Sequence, residues 1–332
     1  MLKRLNNPAR DGSIDFLRAL MALYVIGFLH LMSYTSAPVN IYDNWLVHAI
    51  TKVALGTFIF LSGWLLAQWK DRLDWRGVMC FYRRRLFRIY PLYLAALIAF
   101  IPTWLISPYD AIKAALLISM FDPPPPMTLW FITVLMLFYC VAPLFIKADK
   151  RQFLALGLGM FAAMLATHSW FNPIDTRIII YFPAFLVGII MRRWIDYSKW
   201  HGRGNKILSL VALLTLPLHF ANTGTPLIDD LLAIPWTISG SLLAWSLATR
   251  YCSILGNHPI IYWLSFSSYA AYLFHRVAFQ LAIKLYWPAG SEYPYQIAYL
   301  ALLIVPTIMV ASWFIQFTYD RCQDAAVKIL RL

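Results

Sequence analysis

Ten long apolar segments follow one another along this chain and constrain its fold more than any other feature. Each is close to the length of about 20 residues that a helix needs to cross a bilayer. The hydrocarbon core offers no water to backbone N–H and C=O groups, so a spanning segment satisfies them internally, as an α-helix does. The segments are 14–34, 46–69, 87–107, 129–147, 152–169, 176–192, 205–221, 228–248, 264–285 and 295–319.

The composition agrees with such a fold. Apolar residues make up 61% of the chain and charged residues 13%, whereas a soluble domain has roughly half apolar and one quarter charged residues. We predict an all-α integral membrane protein with about ten transmembrane helices, formed by a single domain over residues 1–332. A shorter apolar stretch, 111–120, suits a half-helix or an interfacial segment. In the second span, Ser62-Gly63 predicts close packing of two helices.

The basic residues test this span count. With the N-terminus in the cytoplasm, 23 of the 28 Lys and Arg residues fall on the cytoplasmic side, as the positive-inside rule requires. The other five are Lys52, Lys113, Arg177, Arg276 and Lys284. Both termini are therefore predicted to be cytoplasmic. The net charge of +13 reflects topology and contact with membrane lipid, and nucleic acid is not a predicted partner. The first span is too long for a cleavable signal peptide.

The first span carries Asp15, Arg18 and His30, which a plain anchor helix would lack. A charged side chain inside a bilayer costs roughly 2.5–3.5 kcal/mol on insertion scales unless it faces protein or water. Arg18 and His30 are twelve positions apart, which is about 18 Å along a helix axis. One helix thus places a cation near the inner face and an imidazole toward the outer face. Asp15 is available to pair with Arg18 or to fix a neighbouring helix.

Four arginines, at positions 83, 84, 85 and 88, stand at the cytoplasmic start of the third span. They are either anchors whose side chains reach lipid phosphates or, for Arg85 and Arg88, a buried anion site on one helix face. A guanidinium fork suits the phosphates of a cytosolic cofactor.

Further candidates lie in later spans. His275 is either a packed, hydrogen-bonded histidine or a functional group, since an intramembrane ionisable residue is functional by default. Trp130 opens the fourth span, where Trp is usually an aromatic-belt residue. Arg177 and Asp175 open the sixth span, where they can pair with each other or meet an anionic acceptor. No spacing of ligand residues predicts a metal site.

Six motifs, taken in order, resemble those of the acyltransferase-3 family of integral membrane acyltransferases. They are IDFLRA (14–19) with His30, FIFLSGWLL (58–66), RRRLFRIYPLY (83–93), LWFITVLMLFYCVAPLF (129–145), YFPAFLVGI (181–189) and SFSSYAAYLFH (265–275). The resemblance covers most of the chain and rests on the order and spacing of the motifs. Where many relatives carry Glu in the fourth span, this chain has Leu135. This LWF form without Glu resembles the branch of surface-polysaccharide and enterobacterial-common-antigen O-acetyltransferases.

The resemblance implies an enzyme that moves an acyl group, usually acetyl, from cytosolic acyl-CoA. The implied acceptor is a hydroxyl of a surface polysaccharide or of its lipid-linked precursor, in a bacterial inner membrane. Acetyl-CoA is the implied cosubstrate, and no metal is implied. The Arg–His pair of the family's first helix corresponds to Arg18 and His30, and its Arg-x-x-Arg motif to Arg85 and Arg88.

The spacing of the Arg–His pair departs from the family. The family usually has ten residues between the two, and this chain has eleven. At about 100° per residue, the usual offset leaves the pair within roughly 20° of one face, whereas the present offset separates them by about 120°. The spacing therefore predicts one of two arrangements. Either a π-bulge lies between Arg18 and His30, with Gly27 a suitable place for it, or the two residues face different parts of one tunnel.

In the expected mechanism, Arg85 and Arg88 bind the phosphates of acetyl-CoA, and Arg18 lies near its pantetheine or thioester end. His30 is a general base on the acceptor hydroxyl or a transient acyl carrier. His275 is the alternative base or an acceptor-side ligand.

On the acceptor side, Trp130 and Tyr139 are expected to stack on a sugar ring, with Arg177 as a further contact.

Two other functions are open at this point. A transporter or flippase of lipid-linked sugars would share the ten spans and buried charges, although the sequence has no inverted-repeat signature. A non-catalytic scaffold of a glycan assembly complex is the third.

Overall fold

The structure, a computed structural model, describes residues 11–69, 74–171, 174–197, 203–288, 290 and 292–329. Every regular element in these ranges is a helix. In chain order they are α1 (Gly12–Tyr24), α2 (Val39–Tyr42), α3 (Trp45–Leu66), α4 (Trp75–Phe100), α5 (Pro108–Ala115), α6 (Trp130–Lys147), α7 (Lys150–Phe171), α8 (Thr176–Trp194), α9 (Arg203–His219), α10 (Pro226–Leu232), α11 (Ile234–Leu247), α12 (Ser253–Gly256), α13 (Pro259–Leu285), α14 (Tyr293–Tyr299) and α15 (Val305–Ile329). π-Helical segments follow α1 (Val25–His30), α11 (Ala248–Cys252) and α14 (Leu300–Ile304).

Six helical stretches in the described part of the chain are long and apolar enough to cross a membrane. They are Gly12–His30, Val39–Leu66, Trp130–Lys147, Lys150–Trp170, Pro226–Gly256 and Tyr293–Ala325. Helices α4, α8, α9 and α13 overlap the other four predicted segments. The chain is therefore an all-α membrane protein, as predicted. The number of ten spans and the cytoplasmic location of both termini stay predictions.

The chain divides into two compact units, each built from separated stretches of sequence. The described residues of the first unit fall within 1–48, 87–105 and 247–332, and those of the second within 49–86 and 106–246. The single domain over residues 1–332 stays a prediction.

In the first unit, α13 packs against both α1 and α15. Buried side chains of α13, of α15 and of the chain around the π segments beside α1 and α15 form one apolar cluster. Its members include Ile26, Leu31, Ala271, Phe279, Leu300, Val305, Ile308 and Met309. The start of α1 is fixed by Asp11, whose side chain accepts a hydrogen bond of 2.9 Å from the backbone N–H of Ser13.

Pro91 lies inside α4, next to two contacts of that helix with the rest of the first unit. Proline has no N–H, so the carbonyl of Phe87, four residues earlier, lacks its usual helical donor. The hydroxyl of Tyr319 on α15 donates to this carbonyl instead. The hydroxyl of Tyr269 on α13 donates to the carbonyl of Ile89 at 2.7 Å. Two tyrosines therefore bind backbone carbonyls of the turn that precedes Pro91.

In the second unit, α3 and α8 approach each other at paired glycines. A Cβ added to Gly63 would overlap the backbone of Phe185, and one added to Gly188 would overlap the backbone of Phe60. The close packing that Ser62-Gly63 predicts is confirmed. The far end of α6 is capped by Arg193, which donates to the carbonyl of Ala148 at 2.9 Å.

The short segment expected at 111–120 forms α5, an eight-residue helix that begins at Pro108. Ser107 caps it, because its hydroxyl oxygen accepts from the backbone N–H of Asp110 at 3.1 Å. The same hydroxyl donates to the Asp110 carboxylate at 2.7 Å, and the ammonium of Lys113 lies 3.1 Å from that carboxylate. First the Ser107 hydrogen bond and then Lys113 hold the pKa of Asp110 below its ordinary value.

Candidate active site

His30 lies at the end of a π-helical segment. The α-helical hydrogen bonding of α1 gives way at Val25 to a π-helix that runs to His30, and α-helical structure resumes at Leu31. Of the two arrangements that the spacing of Arg18 and His30 predicts, the bulge is therefore the one observed. Because a π-bulge takes up one extra residue, an offset of twelve orients the two side chains much as an offset of eleven would in an α-helix. Gly27 is not required for space, since a Cβ there would meet Val305 at an ordinary 3.9 Å.

His30 contacts His275 directly. Nδ1 of His30 lies 2.8 Å from Nε2 of His275, and the two rings are nearly parallel, with an angle of 6° and centroids 4.9 Å apart. His275 is fully buried in α13, with 0% of its surface exposed, whereas His30 is half-buried. The structure thus brings together two of the predicted catalytic residues, which are 245 positions apart in the sequence. His30 is the more accessible of the two.

The hydrogen bonds of His275 assign the tautomers of both rings. Nδ1 of His275 lies 2.8 Å from the carbonyl oxygen of Tyr272 and 3.2 Å from that of Ala271. Carbonyl oxygens accept, so Nδ1 of His275 carries the proton, and in a neutral ring its Nε2 then carries the lone pair. That lone pair accepts from Nδ1–H of His30. A neutral His30 consequently has its own lone pair at Nε2, the position that a base uses.

Apolar and aromatic groups surround the pair. Phe279, one turn after His275 on α13, packs edge-on against it with ring centroids 6.1 Å apart. The ring centroid of Tyr272 lies 5.9 Å from that of His275. The apolar cluster of α13, α15 and the π segments includes Ala271 and Phe279 of α13. In such a low-dielectric environment, a hydrogen bond or a nearby charge acts more strongly than it does in water.

Asp15 and Arg18 lie on α1, before the π segment. The hydroxyl of Ser265 donates to the Asp15 carboxylate at 2.7 Å. Of the two roles expected for Asp15, contact with a neighbouring helix is therefore observed. Arg18 is half-buried on the same helix, and its predicted role at the acyl donor stays a prediction.

Arg85 and Arg88 are one helical turn apart on α4, but the burial expected of them is not observed. Arg85 is half-buried, with its guanidinium 5.8 Å from the ring of Phe81, and Arg88 is exposed. The reason is that α4 begins at Trp75, about three turns before the apolar segment, so Arg85 lies on the polar part of the helix and Arg88 lies where the apolar segment begins. Arg85 belongs to the second unit and Arg88 to the first.

The second unit brings together two of the three predicted acceptor residues. The guanidinium of Arg177 lies 4.5 Å above the ring of Trp130, and Trp130 stacks on Tyr181. Arg177 also binds Asp175 through two hydrogen bonds, of 2.7 and 2.5 Å, so its charge is already neutralised. Tyr139 is not part of this group, since it is buried nine positions further along α6.

Sequence reasoning missed Tyr34, which lies next to the histidine pair. Its ring packs 5.2 Å from Phe279 and lies under the guanidinium of Arg276 at 5.5 Å. Tyr34 follows His30 by four positions, a spacing that places two residues on one helix face, and this was the available signal. No sequence signal could have identified the backbone carbonyls of Ala271 and Tyr272, because every residue has a backbone carbonyl.

Fold and site together define an integral membrane protein with a pair of hydrogen-bonded imidazoles among apolar helices. Residues 11–316 match the family model described as an acyltransferase domain, that of the acyltransferase-3 family. The chain belongs to this family and is a membrane acyltransferase, which confirms the family predicted from the six motifs. No curated protein and no solved structure matches the chain.

Proposed function

We propose that this membrane acyltransferase moves an acetyl or other short acyl group from cytosolic acyl-CoA to a hydroxyl of a surface polysaccharide or its lipid-linked precursor. The observation that carries the proposal is the contact between His30 and His275, whose tautomers leave a lone pair at Nε2 of His30. A sugar hydroxyl needs such a base because its pKa lies far above neutral pH. The family supplies the reaction class, and the LWF motif with Leu135 supports the polysaccharide branch.

His30 is the general base in this mechanism. Its Nε2 takes the proton as the acceptor oxygen attacks the carbonyl carbon of the thioester, and a tetrahedral intermediate forms. When the C–S bond breaks, the departing thiolate of CoA takes that proton from His30, which leaves the ester and free CoA. A variant of the mechanism uses the same lone pair to carry the acyl group transiently on His30.

His275 is the positioning residue. It accepts the hydrogen bond from Nδ1–H of His30 and thereby keeps Nε2 of His30 deprotonated and oriented. The carboxylate of a Ser-His-Asp triad performs the same task for its histidine. A neutral imidazole does this without placing a fixed negative charge among apolar helices, where an unpaired charge is costly. Its own orientation is fixed by the carbonyls of Tyr272 and Ala271.

On the donor side, Arg85 and Arg88 are proposed to bind the phosphates of acyl-CoA. Their spacing of three positions on α4 supports this, because it places both guanidinium groups along one helix face. Arg18 lies about 18 Å before His30 along its helix and is proposed to contact the pantetheine or thioester end. This arrangement belongs to the proposed topology of ten spans with both termini cytoplasmic, in a bacterial inner membrane.

On the acceptor side, Trp130 is proposed to stack on a sugar ring, with Arg177 beside it. The support is that Asp175 and Tyr181 hold these two groups in place. Because Asp175 neutralises Arg177, this pair is suited to an uncharged part of the acceptor.

Two measurements test the proposal. Transfer of the acyl group is measured with the full-length protein in nanodiscs and radiolabelled acetyl-CoA. The masses of surface glycans from cells that carry each variant are measured by mass spectrometry. We expect His30→Ala to lose glycan acetylation, as a deletion strain does. His48→Ala is the matched control, because His48 is an exposed histidine paired with Asp43. An unchanged glycan mass in the deletion strain or in His30→Ala would overturn the proposal. If the wild type binds coenzyme A and Arg85→Ala/Arg88→Ala does not, the result favours an enzyme over a transporter.

A further inference from the structure

Arg276 is a cation without an anionic partner in the described part of the first unit. It follows His275 on α13 and is half-buried. No described Asp or Glu lies within ion-pair distance of it, and its Nε is buried without a described hydrogen-bond acceptor. By contrast, the guanidinium of Arg177 in the second unit lies 2.5 Å from the carboxylate of Asp175. Arg276 has the ring of Tyr34, 5.5 Å from the centre of its guanidinium.

Tyr34 adds a second donor. Its hydroxyl is buried and has no hydrogen-bond partner among the described residues. Its ring packs against Phe279, which in turn packs against His275, so a chain of ring contacts joins Tyr34 to the histidine pair. Arg276 and Tyr34 therefore place a charged and a neutral donor beside the two imidazoles.

Two such donors call for an anionic acceptor. A buried donor without a partner destabilises the protein, and more so if the donor is charged. The face of a tyrosine ring attracts a cation more weakly than a carboxylate or a phosphate does, so it does not replace either group. A guanidinium and a hydroxyl match the oxygens of either group, and they are in place before the reaction begins. A permanent negative charge satisfies them at all times, whereas the oxyanion of an acyl-transfer intermediate exists briefly.

We propose that Arg276 and Tyr34 bind a permanent anionic group of the acceptor, a carboxylate or a phosphate, beside the hydroxyl that His30 activates. This inference rests on the proposed function, in which His30 and His275 form the reaction centre. It names the acceptor as an anionic glycan or a phosphate-linked one. The anion would hold the acceptor in register with Nε2 of His30, so Arg276 and Tyr34 determine specificity.

The test measures binding in the absence of acyl-CoA, to the full-length protein in nanodiscs of neutral lipid. Two pairs of probes differ in charge: methyl glucuronide against methyl glucoside, and farnesyl phosphate against farnesol. We expect the wild type to bind the anionic member of at least one pair tenfold or more tightly than the neutral member. Arg276→Gln should reduce this preference to less than twofold, Arg276→Lys should keep part of it, and Tyr34→Phe should weaken anion binding about threefold.

Lys284→Gln and Tyr286→Phe are the matched controls, because both residues are exposed near the end of α13. A preference for glucuronide identifies a sugar carboxylate, and a preference for farnesyl phosphate identifies a lipid-linked phosphate; each supports the proposal. Equal binding of charged and neutral probes overturns it, as does a preference that survives Arg276→Gln. A loss of kcat in Arg276→Gln with unchanged anion preference assigns the oxyanion role instead and also overturns it.

Failure of the proposed function is visible separately. His30→Ala is expected to keep the anion preference and to lose acyl transfer. If His30→Ala still acylates glycans, the proposed function fails whatever the probes show. If His30→Ala is inactive and the wild type ignores charge, the proposed function stands and the anion site does not.

Discussion

The hydroxyl of Ser265 donates a 2.7 Å hydrogen bond to the carboxylate of Asp15, and this contact joins α13 to α1. The same two helices lead to His275 and, through the π segment, to His30. A hydrogen bond to a charged group contributes about 1.5–3 kcal/mol. The contact therefore helps to fix the register between two helices whose histidines must stay within hydrogen-bond distance.

Replacing Ser265 with alanine removes this contact and should destabilise the protein. We expect a lower Tm, equivalent to about 1–3 kcal/mol, because the Asp15 carboxylate loses a buried donor. Acyl transfer should fall as well, because the two histidines are less well aligned. Differential scanning fluorimetry in detergent gives the first quantity, and the nanodisc transfer assay gives the second.

Ser267→Ala is the control for this prediction. Ser267 is buried on the same helix, but its hydroxyl donates to carbonyls of its own helix, with Trp263 at 2.9 Å. It should therefore leave both the alignment and the activity nearly unchanged. If Ser265→Ala and Ser267→Ala lower Tm and acyl transfer equally, the contact with Asp15 has no specific role in aligning the two histidines.

The two histidines should behave as one functional unit. We expect His30→Ala to lower kcat by about 10²–10⁴, the usual contribution of a general base. His275→Ala should lower kcat by less, since Nε2 of His30 survives but loses its orientation. The double variant should be no slower than His30→Ala alone, because His275 acts through His30. Single-turnover rates in nanodiscs measure all three, and losses that multiply in the double variant would mean independent roles.

The apolar segments predicted where the helices lie, because the period and length of such runs depend on local sequence. The twelve-position offset of Arg18 and His30, compared with the family's usual eleven, also predicted the π-bulge as one of two arrangements, since helix geometry is local as well. Both features needed no knowledge of which helices are neighbours.

The sequence did not predict that His30 pairs with His275, although each residue was a candidate by itself. They are 245 positions apart, and no local pattern states that α13 packs against α1. The exposure of Arg88 was also missed, because Arg88 lies where the apolar segment begins. An apolar pattern marks the part of α4 that suits a membrane but not the polar turns from Trp75 onward.

The short helix α5 should lose stability in acid through Asp110. Hydrogen bonding from Ser107, and then Lys113, holds the pKa of Asp110 below its ordinary value of 3.8. A lowered folded-state pKa contributes stability above the unfolded value, and that contribution is lost as the pH falls through the folded value. Asp110→Asn should therefore lower Tm at pH 7, and its gap from the wild type should narrow below about pH 4. A pH series of Tm measures this, with exposed Asp324→Asn as the control.

The π segment offers a test of the first helix by changing its length. Deleting Gly27 removes the extra residue, so a regular α-helix would carry Arg18 and His30 at the family's usual offset of eleven. At about 100° per residue, that offset keeps both side chains within roughly 20° of one face. We expect the deletion variant to retain acyl transfer within about tenfold of the wild type in the nanodisc assay, since the contact of His30 with His275 is preserved.

Inserting one alanine after Gly27 is the opposite change. It rotates His30 by about 100° about the helix axis, away from His275, unless the bulge widens further. Activity should fall to the level of His30→Ala while the protein still folds, since α13 and α15 keep their own apolar contacts. A deletion variant as inactive as the insertion variant would mean that the π-helical backbone itself, rather than the orientation of His30, is what the reaction requires.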